Sequence, residues 1–293
     1  MKRVNRLLTS LLSFCLIGVV SFLLFNQTKQ LVESEVSTGF SYAPLSDEDG
    51  VIVLCYHRVL ADNFVVEAVS KMSKNTQLHQ FNVPLSDFTQ QMQDLKERKV
   101  PVLTMDQLLE KRAKKELTGR NVVITFDDID VTLPNNAFPV LEKEKFPFTA
   151  FVITGETGNN LSGSQMASWS QIKKLAASPL ATFGVHTNDL HYQEKGKPVL
   201  STNLPKKTMI DDYKKSQEIF KQELGYQADY FAYPYGAKNK RLTDYMSQNQ
   251  IKGIFSLETG VVTNETLTTD MPRLIVTKEN WPTLLHWLDN DTN

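Results

Sequence analysis

Cysteine is almost absent from this chain: two residues in 293, Cys15 and Cys55. Cys15 lies in an apolar N-terminal stretch, so the rest of the chain holds no second thiol, and a disulfide-stapled scaffold is excluded. Cys55 sits in a strand pattern and reads as a small buried apolar residue. Charge of one sign is also lacking, with 32 Lys and Arg against 33 Asp and Glu and a formal net charge of −1. Nothing in that balance points to nucleic acid or to an acidic partner. No internal repeat is present, which sets solenoid architectures aside. Histidine is scarce, five in all, so where each one falls carries information. What remains is ordinary globular composition, 41% hydrophobic and 22% charged, enough for one domain of about 240–250 residues.

One long hydrophobic run is present, at the start. Met1 to Arg6 is basic, and Leu7 to Phe25 is apolar, broken only by Thr9, Ser10, Ser13, Gly18 and Ser21. That length is at the lower edge of a bilayer-spanning helix. Lys2, Arg3 and Arg6 hold the N-terminus inside, so the chain after Asn26 is expected outside. A cleaved signal has a shorter apolar core and a small-residue cleavage site, and Phe25-Asn-Gln-Thr-Lys29 offers none. The expectation is therefore a signal-anchor over residues 1–25 and a polar tether over 26–48. A single domain over 49–293 then stands on the extracellular face of the cell membrane, or is secreted or in the cell wall if the N-terminus is cleaved. Cys15, mid-span and preceded by Phe14, is not a lipidation site.

Beyond the tether, strands and helices alternate. Val51 to His57 is an apolar strand ending in a polar residue. Residues 61–83 show no period and read as a long loop, functional or a partly ordered insertion. Phe88, Met92 and Leu95 after Ser86 mark a helix. Val102-Leu103 reads as a short strand, and Thr104 to Gln107 as a capping box opening a second helix. Val122 to Phe126 is a buried strand, Asn135 to Lys145 a helix, and Phe148 to Ile153 a strand. A Gly- and Ser-rich loop spans 155–168, and Ser168 to Gln171 is a second capping box. Thr182 to Val185 is a strand, Lys206 to Leu224 a long helix, and Tyr230 to Tyr233 a strand. A helix near Arg241–Gln248, strands near Gly253–Leu257 and Arg273–Val276, and a helix near Trp281–Leu288 complete the chain. This alternation predicts an α/β fold, a mainly parallel sheet with helical crossovers in a barrel-like arrangement.

The strand ends hold the chemistry. Asn121-Val-Val-Ile-Thr-Phe-Asp-Asp-Ile-Asp130 runs a strand of β-formers into two adjacent carboxylates and a third, Asp130. Adjacent carboxylates repel unless a cation sits between them, and their burial is costly without one. His57 ends the first strand, and His186-Thr-Asn-Asp-Leu-His191 puts two imidazoles across a turn after another. Two His and one Asp suit a divalent metal with positions left open for water and substrate. A neighbouring carboxylate can act as base. An Asp-rich turn and exposed turn histidines are the bland alternatives for each element alone.

Thr125-Phe-Asp-Asp128, His186-Thr-x-x-x-His191 and Tyr233-Pro-Tyr-Gly236 resemble, in order and spacing, the polysaccharide deacetylases (NodB-homology, carbohydrate esterase family 4). Tyr56-His-Arg-Val59, the Phe-Asp-Asp-x-Asp form and His-Thr-x-Asp-Leu-His resemble the branch acting on poly-β-1,6-N-acetylglucosamine, of the intercellular adhesion protein B type. The resemblance covers about residue 50 to the C-terminus. It implies a distorted (β/α) barrel of NodB type and a metal-dependent N-deacetylation that releases acetate. Asp127 would be the general base, and Asp128, His186 and His191 the metal ligands. Zn is the default metal, with Ni, Co or Fe as alternatives. The backbone N–H of Tyr235 would stabilise the oxyanion, with Tyr233 and Pro234 shaping that turn. The general acid would be His57, since this branch carries it on the first strand; the alternative is His286 in Leu284-Leu-His286.

Three departures are visible. Ala232 stands where the family pattern has an Arg that positions the catalytic Asp, and Arg273 is the candidate substitute, with a surface salt bridge as the alternative. Ile129 stands where a Gly is frequent, and Asn188 where an aromatic residue or His is common. Asp130 and Asp189 contact substrate, orient ligands or cap turns. The expected substrate is an acetylated glucosamine polymer of biofilm type and the chain a monomer; a peptidoglycan or chitooligosaccharide deacetylase, and a silent polysaccharide-binding module, are the alternatives.

Overall fold

The structure, a computed structural model, describes residues 45–62 and 81–290. The expected anchor, nearly all of the tether and the centre of the 61–83 loop lie outside the described residues. Among the described residues no helix is long and apolar enough to cross a membrane.

Seven parallel strands form one sheet: β1 (Gly50–Tyr56), β2 (Arg120–Phe126), β3 (Phe148–Val152), β4 (Ala181–Val185), β5 (Tyr230–Ala232), β6 (Gly253–Phe255) and β7 (Leu274–Ile275). Their spatial order is β6-β5-β4-β3-β2-β1-β7. Each strand from β1 to β6 thus lies beside its successor, the winding that right-handed crossovers produce in a barrel. The last segment joins the two edges. Met271 bridges Phe255 of β6, and Leu274 and Ile275 pair with Leu54 and Cys55 of β1. One stretch can touch both edges only if the sheet curls, so the barrel is closed, irregularly, by residues 271–275.

Every residue of β1 and β2 is buried, as expected for parallel strands covered on both faces. Ile52, Leu54, Val122, Ile124, Phe148 and Phe183 pack with helical residues Phe88, Met92, Leu95, Leu141, Ile172 and Phe220. The alternate residues Val51, Val53, Val123, Phe151, Ala232, Phe255 and Met271 form a second cluster, which fills the inside. Towards the strands' C-terminal ends the buried residues between strands turn polar: Thr125, Asp127, Thr149, His186 and Arg273.

The helices are α1 (Leu85–Glu97), α2 (Met105–Ala113), α3 (Phe138–Glu144), α4 (Trp169–Ala176), α5 (Lys206–Leu224), α6 (Lys240–Gln248) and α7 (Trp281–Asp289). α1 has no side-chain cap and is held by burial of Phe88, Met92 and Leu95, each contributing about 1.5–3 kcal/mol. α2 and α4 carry complete capping boxes at Thr104/Gln107 and Ser168/Gln171.

Several expectations need correction. Val102 makes only an isolated bridge to Val122, not a strand. The helix expected over 135–145 begins as a π-turn at Leu133–Ala137 and ends at Lys145, which is left-handed with φ 59°. The 155–168 loop contains a hairpin of Asn160–Leu161 and Ser164–Gln165. Asn82–Pro84, the end of the expected loop, pairs in parallel with Arg58–Leu60.

Candidate active site and metal centre

The site lies where β1, β2, β4 and β5 end. β2 stops at Phe126, and the backbone then turns sharply through left-handed Asp128 (φ 66°) and Ile129 (φ 60°). Such conformations cost an L-residue about 1–2 kcal/mol, and a β-branched residue is a marked outlier there. The Gly that Ile129 replaces would carry no such strain; in return the Ile129 side chain is buried in the main core. This turn aims Asp127 and Asp128 at two different neighbours.

Asp128 faces the imidazoles. His191 Nε2 lies 3.1 Å and His186 Nε2 3.6 Å from its Oδ1, and the three ligand-type atoms fall within 4.8 Å of one another. His186 Nδ1 is 2.7 Å from the Ala232 carbonyl, so Nδ1 carries the proton and Nε2 presents a bare lone pair. Burial holds His186 down to about 4, near neutrality its uncharged form. Burial pushes Asp128 up, but the imidazoles of His191, His57 and His186 outweigh it and pull it below the usual carboxylate range. Buried His186 Nε2 has no hydrogen-bond partner, and buried Asp128 Oδ1 has none beyond its contact with His191 Nε2. Two buried acceptors converging without a donor between them fit a cation, and two imidazoles with one carboxylate fit a divalent one of the Zn, Ni, Co or Fe kind.

Asp127 makes its hydrogen bonds elsewhere, although its Oδ2 also stands 3.8 Å from His186 Nε2. Arg273, fully buried, donates to it through Nη1 (2.7 Å to Oδ1) and Nη2 (2.8 Å to Oδ2). The guanidinium also donates to Ser256 O at 3.0 Å and Thr125 Oγ1 at 3.3 Å, and lies 5.3 Å from the Phe151 ring. A surface salt bridge is excluded; Arg273 occupies the barrel interior. Burial alone would raise Asp127, but Arg273 outweighs it and holds the carboxyl at about 2. Asp127 is thus ionised at any working pH. Gly184 makes room here, since a Cβ on it would sit 2.7 Å from the Phe151 ring.

His57 follows β1, with Nε2 4.0 Å from Asp127 Oδ2 and its ring 4.4 Å from that of Phe81. Burial lowers its pKa. His286 lies elsewhere, exposed on α7 and bonded to Asn290. Cys55, read as a plain apolar residue, is buried but places Sγ 3.6 Å from Asp127 Oδ2.

After β5, Tyr235 is left-handed (φ 56°) and its ring lies 4.8 Å from that of His191. Pro234 is buried, and Gly236 is needed because a Cβ would meet Leu257 at 2.8 Å. The Tyr233 hydroxyl turns away to the Asn239 carbonyl and Thr243, so that phenol supports α6 and is not part of the site. Asp130 accepts from Thr132 N and Oγ1 at 2.9 and 2.6 Å. It caps its own turn, with Arg58 3.9 Å away, and is not turned to the imidazoles.

Sequence reasoning missed what holds the His186–His191 turn. Asp212, on α5, accepts from Asn188 N (3.0 Å) and Asp189 N (2.8 Å). Across the turn, Gly155 N donates to Asn188 O, Thr154 N to Thr187 O, and Thr154 Oγ1 to Asn188 Oδ1. Gly155, three residues past the end of β3, was a legible signal of close approach; Asp212 had none.

A curled parallel sheet with a His–His–Asp set at its C-terminal strand ends, beside a separately anchored carboxylate, defines a barrel-type hydrolytic site. Comparison with known proteins specifies the family. The polysaccharide deacetylase family model matches residues 114–254. The chain is 30% identical over 239 residues to the poly-beta-1,6-N-acetyl-D-glucosamine N-deacetylase of Staphylococcus aureus (strain MSSA476), covering 81% of this chain and 82% of that protein. It is 30% identical over 240 residues to the same-named protein of Staphylococcus epidermidis, with 82% and 83% covered. The solved structure of IcaB from Ammonifex degensii superposes with a TM-score of 0.74 at 32% identity, covering 84% of this chain and 99% of that one. The chain belongs to the polysaccharide deacetylase family, hydrolases of the N-acetyl amide bond. His57 and Arg273 both fall outside the matched segment 114–254, one before it and one after.

Proposed function

We propose that this chain is a metal-dependent N-deacetylase of poly-β-1,6-N-acetylglucosamine, a biofilm exopolysaccharide, acting outside the cell and releasing acetate. The observation that carries the reaction is the division of one Asp pair between two partners, Asp128 to His186 and His191, and Asp127 to Arg273 beside His57. The observation that favours this polymer is the 30% identity, over four-fifths of the chain, to proteins named for it.

Asp128, His186 and His191 would hold the cation, which when bound supplies Lewis acidity towards water and the acetamide carbonyl. Asp127 takes the proton from the attacking water; Arg273 fixes its orientation and keeps it ionised and ready to accept. The Tyr235 backbone N–H is assigned to the developing oxyanion, a contribution of about 2.7–4 kcal/mol where such donors have been removed. His57 then protonates the departing amine. Its Nε2, 4.0 Å from Asp127 Oδ2, stands beside the carboxylate that takes the proton from water, so the pair spans the two ends of the proton transfer. Pro234 and Tyr233 hold the turn that presents Tyr235, and Asp130 holds the turn after Asp128.

The product carries free amines, which are protonated near neutral pH and adhere to anionic surfaces. The test is amine release from β-1,6- and β-1,4-linked acetylated glucosamine oligomers, with and without chelator. The expected outcome is chelator-sensitive release favouring the β-1,6 linkage. Preference for β-1,4 oligomers would move the assignment to peptidoglycan or chitin-like substrates, and no release from either would leave a silent binding module.

A further inference from the structure

The six-residue turn between His186 and His191 has an unusual construction. Its second residue, Thr187, is non-glycine and left-handed, with φ 73°. A turn built that way does not hold its own shape, because relaxation of that residue is downhill by about 1–2 kcal/mol. It also directs successive backbone N–H groups to one side. N–H groups grouped in this fashion form a concavity that binds anions, and here the anion is the Asp212 carboxylate. Oδ2 accepts from Asn188 N at 3.0 Å and Oδ1 from Asp189 N at 2.8 Å, with Leu190 N a further contributor. Charge-assisted bonds of this type are about twice as strong as neutral ones.

The opposite side of the turn is in contact too. A Cβ on Gly155 would stand 2.1 Å from Asp189 Oδ1 and 2.7 Å from Asn188 O, so the segment after β3 presses on the turn's carbonyl side. Asp212 from α5 draws on its N–H side. Between them the turn is held from both sides, and its two ends are the imidazoles facing Asp128.

We infer that Asp212 is a positioning residue for the metal centre, fixing the distance and angle between His186 and His191 without touching the cation. This rests on the assignment of Asp128, His186 and His191 as ligands. Asp212→Asn is the informative change: it keeps the volume, removes the charge and replaces one acceptor with a donor that opposes a backbone N–H. Asp211→Asn is the control. Asp211 is the preceding residue on the same helix, exposed and paired with Lys207, and its loss removes the same charge without reaching the turn.

Metal-free full-length protein is titrated with Zn²⁺ against a chromophoric chelator, and its thermal midpoint is recorded before metal is added. Asp212→Asn should bind Zn²⁺ about 10–100-fold more weakly, the usual effect of losing a ligand-orienting partner, with the metal-free midpoint close to that of the parent. Asp211→Asn should match the parent in both. Gly155→Ala, acting from the other face, should weaken Zn²⁺ binding in the same direction. Unchanged affinity in Asp212→Asn overturns the inference. So does a loss of affinity matched by a comparable fall of the metal-free midpoint, which would mean a general structural role. A parent protein that binds no Zn²⁺ sinks the ligand assignment and this inference with it, whereas parental binding with an unaffected variant sinks this inference alone.

Discussion

Among single residues, the Arg273–Asp127 pair is the most consequential. Both are buried and joined by two short bonds. A buried pair of this kind adds little over a well-packed apolar pair, but removing one partner strands a charge and costs about 3–5 kcal/mol. Arg273→Met should therefore lower the unfolding free energy by about that amount in a denaturant titration. Adding Asp127→Leu should restore part of it, since the stranded charge is then gone; a double variant as unstable as the sum of both singles would contradict this. The two candidate acids separate by a kinetic test. His57→Gln should reduce kcat by about 10²–10⁴-fold, the range for loss of a positioned proton donor. His286→Gln, on an exposed helix face, should leave it unchanged.

At the scale of elements, the two capping boxes make a matched pair of predictions. Thr104→Ala and Ser168→Ala each remove the acceptor for an N3 backbone N–H and should each cost about 0.5–2 kcal/mol. The Ser168 change is the more interesting, because Ala167 next to it bonds Ile129 O in the Asp128 turn. An activity loss with Ser168→Ala that exceeds the one with Thr104→Ala, at equal stability loss, would show the two are coupled. Both boxes were legible in the sequence because a cap is a local pattern, spelled out within four residues. So were the strands β1, β2 and β3, whose apolar runs end at polar residues. Arg273 was legible only as a candidate, because its partner is 146 residues away and no local period links them. Asp212 was not legible at all: in Asp211-Asp-Tyr the two carboxylates look alike, and only the packing of α5 decides which one meets the turn. Tyr233 failed for a similar reason. Its motif placed the backbone correctly, but the phenol's direction was set by Asn239 and Thr243 of the following helix start.

For the whole molecule, the site draws on strand ends from both sides of β3, β1 and β2 on one side and β4 and β5 on the other. A cation bound by Asp128, His186 and His191 would tie β2 to β4 and stabilise the folded state by mass action, by about 2.7 kcal/mol at a free concentration 100 times Kd. Chelator should therefore lower the thermal midpoint of the parent protein and leave that of an Asp128→Ala, His186→Ala variant unmoved, read by calorimetry. A parent midpoint indifferent to chelator would count against the centre. The barrel's closure has a consequence in time. The chain leaves the ribosome from its N-terminus, so β1 and β2 are delivered early and residues 271–276 after every other strand of the sheet. Until Arg273 arrives, Asp127 lacks its guanidinium partner and the two edges of the sheet lack the segment that touches both. A nascent or prematurely ended chain therefore carries every candidate metal ligand but lacks the arginine that anchors Asp127, and the site is complete only once residue 273 has been made.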